Sequence, residues 1–459
     1  MISSLPPEEF LNWLTQRVSR REALDCDVPE QKALYEPIYD EDPDDPVRLM
    51  RKCISRQPVQ SFQTFSGFRG SGKTTELFRL RHCLRQDGCL VFYTDALKYL
   101  SPADTVDIAD MLLVIAGAFN DQLIDQGYGD DMKESWWSRA WHYLKTTTVD
   151  VTGLEAGGDI AGAEAKLKAA LQTSPSFRQE VNKALVHRIR ELKNKVDEFF
   201  AENIQRVRKS AKVKKDVKIV FMFDGLEQIQ GTRSNENDVV DSITRLFANS
   251  REMLEIPSVH LVYTVPPWLK FVIPGFQTRL IPTVKLWKKK DRARNGAGHA
   301  TMLSILKLRF TDEGFERFFG PLTKKGSHHL ADELIEHSGG HFRDLLRLTE
   351  EAILRCDDVP VTKESINHAI ASIRRNFLPI SREDALILRE IAEHRDAIPQ
   401  TTSPAEVSRL ARFLNTHVVL YFINGDEWYD LHPLIRDEVY EITKRAAAIA
   451  THTESGESA

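Results

Sequence analysis

Cysteine is scarce: the 459 residues hold Cys26, Cys53, Cys83, Cys89 and Cys356, an odd, scattered set without a CxxC pair. A disulfide framework and a cysteine zinc site are therefore not expected, and a reduced, cytoplasmic protein is. Long hydrophobic runs are missing too. No stretch reaches about 18 apolar residues, and MISSLPPEEFLNWL has no basic region ahead of an apolar run, so neither a membrane span nor a secretory leader is expected. Nor does charge of one sign dominate: 62 Lys and Arg face 67 Asp and Glu, a net charge of -5. No global field draws the molecule to nucleic acid, so a local basic patch would have to do so. What remains, 42% hydrophobic and 28% charged residues, is the composition of a globular chain. Its length suits roughly three domains.

The most informative stretch is Ser61 to Thr75, SFQTFSGFRGSGKTT. Phe62, Thr64 and Ser66 alternate with Gln63 and Phe65 as in a strand, and Leu77, Leu80 and Leu84 recur at helical spacing. Between them stands Gly67-x-x-x-x-Gly72-Lys73-Thr74, the Walker A pattern. Glycines let successive backbone N–H groups turn in around a phosphate, and a helix N-terminus adds the positive end of its dipole. Gly67, Gly70, Ser71, Gly72, Lys73, Thr74 and Thr75 are thus the expected nucleotide-binding residues, with Lys73 on the phosphates and Thr74 on Mg2+.

A second signal is KIVFMFDGLE, residues 218–227. Ile219 to Phe223 read as a strand buried on both faces, ending at Asp224 where a Walker B carboxylate belongs. Asp224 is expected to hold Mg2+ or, failing that, to cap a turn; Glu227, three residues on, is placed to orient an attacking water. The strand Ser258 to Thr264 ends on a polar residue, so Thr264 either senses the γ-phosphate or caps the loop after it. Cys89 to Asp95 and Thr278 to Val284 complete the expected sheet. A helix beginning near Pro102 and Asp104, and another over Asn237 to Leu254, give the rhythm of a parallel sheet. Before the P-loop, VRLMRKCISR reads as an amphipathic helix that covers the base or simply packs.

Residues 129–215 break this rhythm. Trp136, Trp137 and Trp141 form either a core or a partner-binding surface, and Ser176 to Lys209 reads as one long amphipathic helix. Further on, Lys288, Lys289, Lys290, Arg292 and Arg294 follow Trp287 in a loop that is solvated, contacts nucleic-acid phosphate, or meets a protein. His328 and His329 are expected at the surface, and would bind a metal only if carboxylates converge on them. The expected organisation is an N-terminal extension (1–45), an α/β P-loop core (46–298), an all-α lid (299–378), a winged-helix-like unit (379–446) and a disordered tail (447–459). The winged-helix reading rests on two helices, a hairpin signal at Asn424-Gly425 and a last helix.

Together these motifs resemble AAA+ ATPases of the origin-recognition type and the related STAND ATPases, including NACHT proteins. Asp224-Gly225-Leu226-Glu227 is similar to the STAND pattern DGLDE, although Gln228 stands where that pattern has its last acid. Ser338-Gly339-Gly340-His341-Phe342-Arg343-Asp344 is similar to the sensor 2 motif, which implies that Arg343 reaches the γ-phosphate. The resemblance implies ATP and Mg2+ as cofactors and a switch coupling nucleotide state to lid and winged helix. It also implies a homo-oligomer or a protein partner, with Arg233, Arg251 and Arg279 as candidate arginine fingers. A likeness to bacterial P-loop ATPases with a FRGSGKTTEL-like loop suggests anti-phage defence by analogy. A DNA-binding initiator or transposition ATPase is the rival, although SPAEVSRLARFLNT offers a groove only Arg409 and Arg412; a weakly hydrolysing scaffold is another.

Overall fold

The computed structural model describes residues 2, 4–19, 22–39, 43–130, 132–147, 149, 160–232, 234–321, 329–396, 403–424 and 426–456. Arg233, His328, Gly425 and most of the small-residue stretch between 148 and 159 lie outside them.

Runs rich in β-branched and aromatic residues form a five-stranded sheet: β1 (Ser61–Ser66), β2 (Leu90–Asp95), β3 (Ile219–Asp224), β4 (His260–Thr264) and β5 (Arg279–Leu280). Its order is β2-β3-β4-β1-β5, and every pairing is parallel. Both faces are covered. Val220 and Met222 of β3 pack with Leu77, Leu80 and Leu84 of the P-loop helix Lys73–Gln86, while Phe221 and Phe223 belong to the core on the other face. That alternation is what a central parallel strand requires. In register, Asp95 faces Asp224 and Phe65 faces Thr264, so the strands' carboxyl ends meet along one edge, where open α/β sheets bind ligands.

Several expected elements differ in extent. The helix expected from Pro102 starts at Ile108, because the Asp107 N–H is capped by Asp110 Oδ2 at 3.0 Å and the Pro102 carbonyl accepts the N–H groups of Gln230 and Gly231 instead. The single helix expected over Ser176 to Lys209 is two, Pro175–Leu185 and Ile189–Lys209. They part at an exposed Val186, and the bend lets both halves lie against helix Ile108–Asp125. The helix expected from Asn237 to Leu254 likewise divides, into Glu236–Asn249 and Arg251–Leu254. β5 keeps two residues of the expected seven; Pro282 follows it closely and has no N–H to give a ladder.

The tryptophans are core. Trp136, Trp137 and Trp141 are buried; Trp136 Nε1 donates to the Leu113 carbonyl (2.8 Å) and Trp137 Nε1 to Asp121 Oδ1 (2.9 Å). A methyl group at Gly117 would stand 2.1 Å from the Trp137 ring, so glycine makes room for the indole.

The N-terminal helix Pro7–Val18 is part of the lid: Phe10, Leu14 and Val18 pack with Phe310, Phe315 and Leu345. The lid's own helices include Gly296–Phe310, Asp312–Phe319, Leu330–His337, Phe342–Leu354 and Lys363–Arg374. Beyond them come helices Arg382–His394 and Pro404–Asn415, the antiparallel pair β6 (Val419–Asn424) and β7 (Asp426–Leu431), and helix Pro433–Gly456. The last helix overruns the tail expected to be disordered from 447, since AAAIATHTES holds good helix formers and no breaker before Gly456. Among the described residues no helix is long and apolar enough to cross a membrane.

Candidate functional site

The turn from β1 into helix Lys73–Gln86 depends on glycine. Gly70 and Gly72 have φ of +91° and +87°, in the left-handed region that side chains disfavour. A Cβ on Gly67 would lie 2.8 Å from Ser71 Oγ and 2.9 Å from Lys73 Cγ. The helix has no side-chain cap at Gly72, so its first N–H groups face the loop uncapped. Lys73 curls back: Nζ donates to the carbonyls of Gly67 (2.9 Å) and Phe68 (3.0 Å) and lies 3.2 Å from Glu227 Oε1.

Asp224, at the end of β3, is tied from three sides. Thr74 Oγ1 and the Tyr93 hydroxyl donate to Oδ2 (2.9 and 2.8 Å), and the Gly225 N–H donates to Oδ1 (2.9 Å). Burial raises its pKa above the usual carboxylate range, with the nearby Glu227 charge adding to the rise. Glu227 is buried and its Oε2 has no hydrogen-bond partner; the same holds for Ser71 Oγ. A hydroxyl and a carboxylate joined at 2.9 Å are the oxygen donors a magnesium ion takes, so Thr74 and Asp224 fit one.

The loop borders a cavity of about 640 Å³, within the size range of nucleotide and drug-sized ligand sites, and Asp224 stands behind its lining residue Thr74. Lys73, Thr74, Thr75 and Glu227 line it, and so do the loop residues Gly67, Gly70, Ser71 and Gly72. Arg343 enters from the lid, so close to the loop that a Cβ on Gly70 would stand 2.7 Å from its own Cβ. Two glycines make that approach possible: Gly339 and Gly340 have φ of +64° and +83°, and a Cβ on Gly340 would strike the Val284 carbonyl at 1.9 Å. His341 Nε2 then meets the Arg69 carbonyl at 3.0 Å, docking the start of helix Phe342–Leu354 on the P-loop.

Two walls of the cavity have no counterpart in the sequence reading. One is the N-terminal segment around Leu24 and Tyr35, fastened by Leu24 N–H to Thr75 Oγ1 (3.0 Å) and by the Tyr35 hydroxyl to Glu76 Oε1 (2.9 Å). The other is the end of helix Pro404–Asn415, whose Leu414 and Asn415 reach the cavity. Neither segment carries a motif; both arrive by tertiary packing. Helix Pro46–Arg56, read as a possible cover for the base, instead packs Val47, Met50 and Ile54 beneath the sheet.

Thr264 is buried, and its hydroxyl accepts the Gly225 N–H at 2.7 Å, holding the turn after β3 rather than lining the cavity. Arg251 lies over the Phe62 ring at 4.9 Å and Arg279 sits in β5; neither lines the cavity. His329 caps helix Leu330–His337, accepting the Ala331 N–H at 3.2 Å and stacking on Phe315. Two arginines of the basic loop are paired, Arg292 with both Asp430 oxygens (2.8 and 2.7 Å) and Arg294 with Asp332 (2.5 Å), while Lys288 and Lys290 stay exposed. Arg409 pairs with Glu383, and Arg412 with Asp384.

No protein-family model and no curated protein matches the chain. Solved structures that do match include the Aeropyrum pernix ORC2 protein in ADPNP–ADP complexes, 13% identical over 90% of this chain and 98% of that one at a TM-score of 0.34. Cdc6p from Pyrobaculum aerophilum is 10% identical over 91% and 98%, at 0.35. Drosophila ORC bound to DNA is 14% identical over 94% and 91%, at 0.34. Likeness at this level assigns the chain neither a family nor a function.

Proposed function

We propose that this chain is an ATP-binding, ATP-hydrolysing conformational switch of the AAA+ or STAND kind. One observation carries the reading: a single cavity joins a glycine loop with an uncapped helix start, Thr74 with Asp224 hydrogen-bonded behind it, and an arginine from the lid. Lys73 would exchange the Gly67 and Phe68 carbonyls for phosphate oxygens, which also frees Glu227 from its ion pair. Thr74 and Asp224 would hold Mg2+, whose charge offsets that developing on the transferred phosphoryl group. Glu227, with an unpartnered oxygen, would orient and deprotonate the attacking water. Arg343 would bind the γ-phosphate, so ATP and ADP favour different lid positions.

The test is hydrolysis by the purified chain beside Lys73→Ala and Glu227→Gln. Lys73→Ala should lose nucleotide binding; Glu227→Gln should bind ATP and turn it over at least 100-fold more slowly. Turnover equal in wild type and Glu227→Gln would replace the switch by a nucleotide-binding scaffold. A protein partner or a second copy, and a setting in anti-phage defence, are proposals resting on the sequence resemblance. The DNA-binding reading is weakened by the pairing of Arg292, Arg294, Arg409 and Arg412 with acidic neighbours; a salt-dependent DNA affinity would revive it.

A further inference from the structure

One residue beyond Arg343, Asp344 is fully buried in the first turn of helix Phe342–Leu354. Three imidazoles reach one of its oxygens from separate parts of the chain. His341 Nδ1 lies 2.7 Å from Asp344 Oδ2, His417 Nε2 3.0 Å and His432 Nε2 3.3 Å. The other oxygen, Oδ1, accepts from Arg347 Nη1 at 3.1 Å. A single carboxylate oxygen cannot take three ring N–H groups in good geometry as well. The cluster shows the conflict: His417 Nε2 and His432 Nε2 are buried without an aligned hydrogen bond, and so is His417 Nδ1. Buried orphans of this kind are costly and call for a missing partner.

We propose that His341, Asp344 and His417 form a site for a zinc-class transition-metal dication that pins the lid helix to the C-terminal unit. His341, Asp344 and His417 each offer one ligand atom, and the three atoms lie within 4.8 Å of one another. Imidazole nitrogens with one carboxylate oxygen are a zinc donor set, quite unlike the oxygen pair of Thr74 and Asp224. The outer shell is already built. His341 turns its second nitrogen to the Arg69 carbonyl (3.0 Å), and Arg347 holds the carboxylate's far oxygen, as second-shell groups do for metal ligands. Loading requires the His341 and His417 rings, 4.5 Å apart and 19° from parallel, to turn until both lone pairs face one point. An ion there gives His341 Nδ1 and His417 Nε2 a common electropositive partner and relieves the overcrowded Asp344 oxygen.

The probe is Zn2+ itself, added to untagged full-length protein stripped of metal by a chelator, in the absence of nucleotide. Bound metal is counted per chain after gel filtration, and melting is followed with and without Zn2+. The wild type should retain about one ion and melt a few degrees higher with it, as a ligand of the folded state alone requires. His417→Ala, which truncates the least buried ligand, should retain none and show no shift. Equal uptake and equal melting of wild type and His417→Ala would overturn the site and leave a metal-free hydrogen-bonded hub. Should the variant not fold, Co2+ on the wild type decides. Intense visible bands of a tetrahedral nitrogen and oxygen set support the site, and their absence overturns it.

Discussion

At the level of single residues, the site follows from what each group can satisfy locally. Lys73 and Glu227 meet at 3.2 Å inside a buried loop, so removing one strands the other. Lys73→Ala is therefore expected to lower stability as well as abolish nucleotide binding, separable by measuring melting without nucleotide. Thr264 was legible only as a polar residue at a strand end; its partner, the Gly225 N–H, is set by the β3–β4 register and could not be read from spacing. Thr264→Val should cost only about 0.5 to 1.5 kcal/mol in denaturant unfolding, the worth of one hydrogen bond, because the Gly225 N–H keeps Asp224 Oδ1 as an acceptor, and hydrolysis should persist. Gly117→Leu should cost more, because the Trp137 ring occupies the space a side chain needs.

His260 supplies a pH dependence. Buried in β4, with its Nδ1 3.0 Å from Ser61 Oγ, it is held neutral by burial, its pKa pushed down to about 4. A depressed pKa in the folded state means its stability contribution is complete above the unfolded value of about 6.5 and is lost as pH falls towards 4. The wild type should therefore lose up to about 3 kcal/mol over that window relative to His260→Gln, compared by urea unfolding at pH 7 and pH 4.5.

At the level of elements, legibility tracked how local the cause is. β1, β2 and the Walker helix stand where the sequence placed them, because alternation, glycine positions and a 3.6-residue repeat are properties of the segment itself. The split at Val186 to Arg188 was invisible since the apolar spacing continues across it; what breaks the helix is the surface of helix Ile108–Asp125 that both halves must cover. The sequence places helix Pro7–Val18 in an N-terminal extension, yet Phe10, Leu14 and Val18 fill the lid core. Burying three such side chains contributes several kcal/mol, on the order of 2 each. Phe10→Ala should accordingly lower the melting temperature and raise the protease sensitivity of the lid before that of the sheet.

Across the whole molecule, the cavity is walled by the P-loop, the N-terminal segment, the lid and the end of helix Pro404–Asn415. The sequence announced the first and third through motifs. The other two depend on how the chain folds back over distances that no spacing rule records. The same closure presses Arg343 of the lid against the glycine loop, where it would read the γ-phosphate while the loop holds the other phosphates. The direct test is the affinity of wild type and Arg343→Ala for ATP and for ADP, with Mg2+, by calorimetry. The variant should bind ATP at least tenfold more weakly, about 1.4 kcal/mol or more, while its ADP affinity stays within about twofold. An equal change for both nucleotides, or none for either, would contradict that role of Arg343.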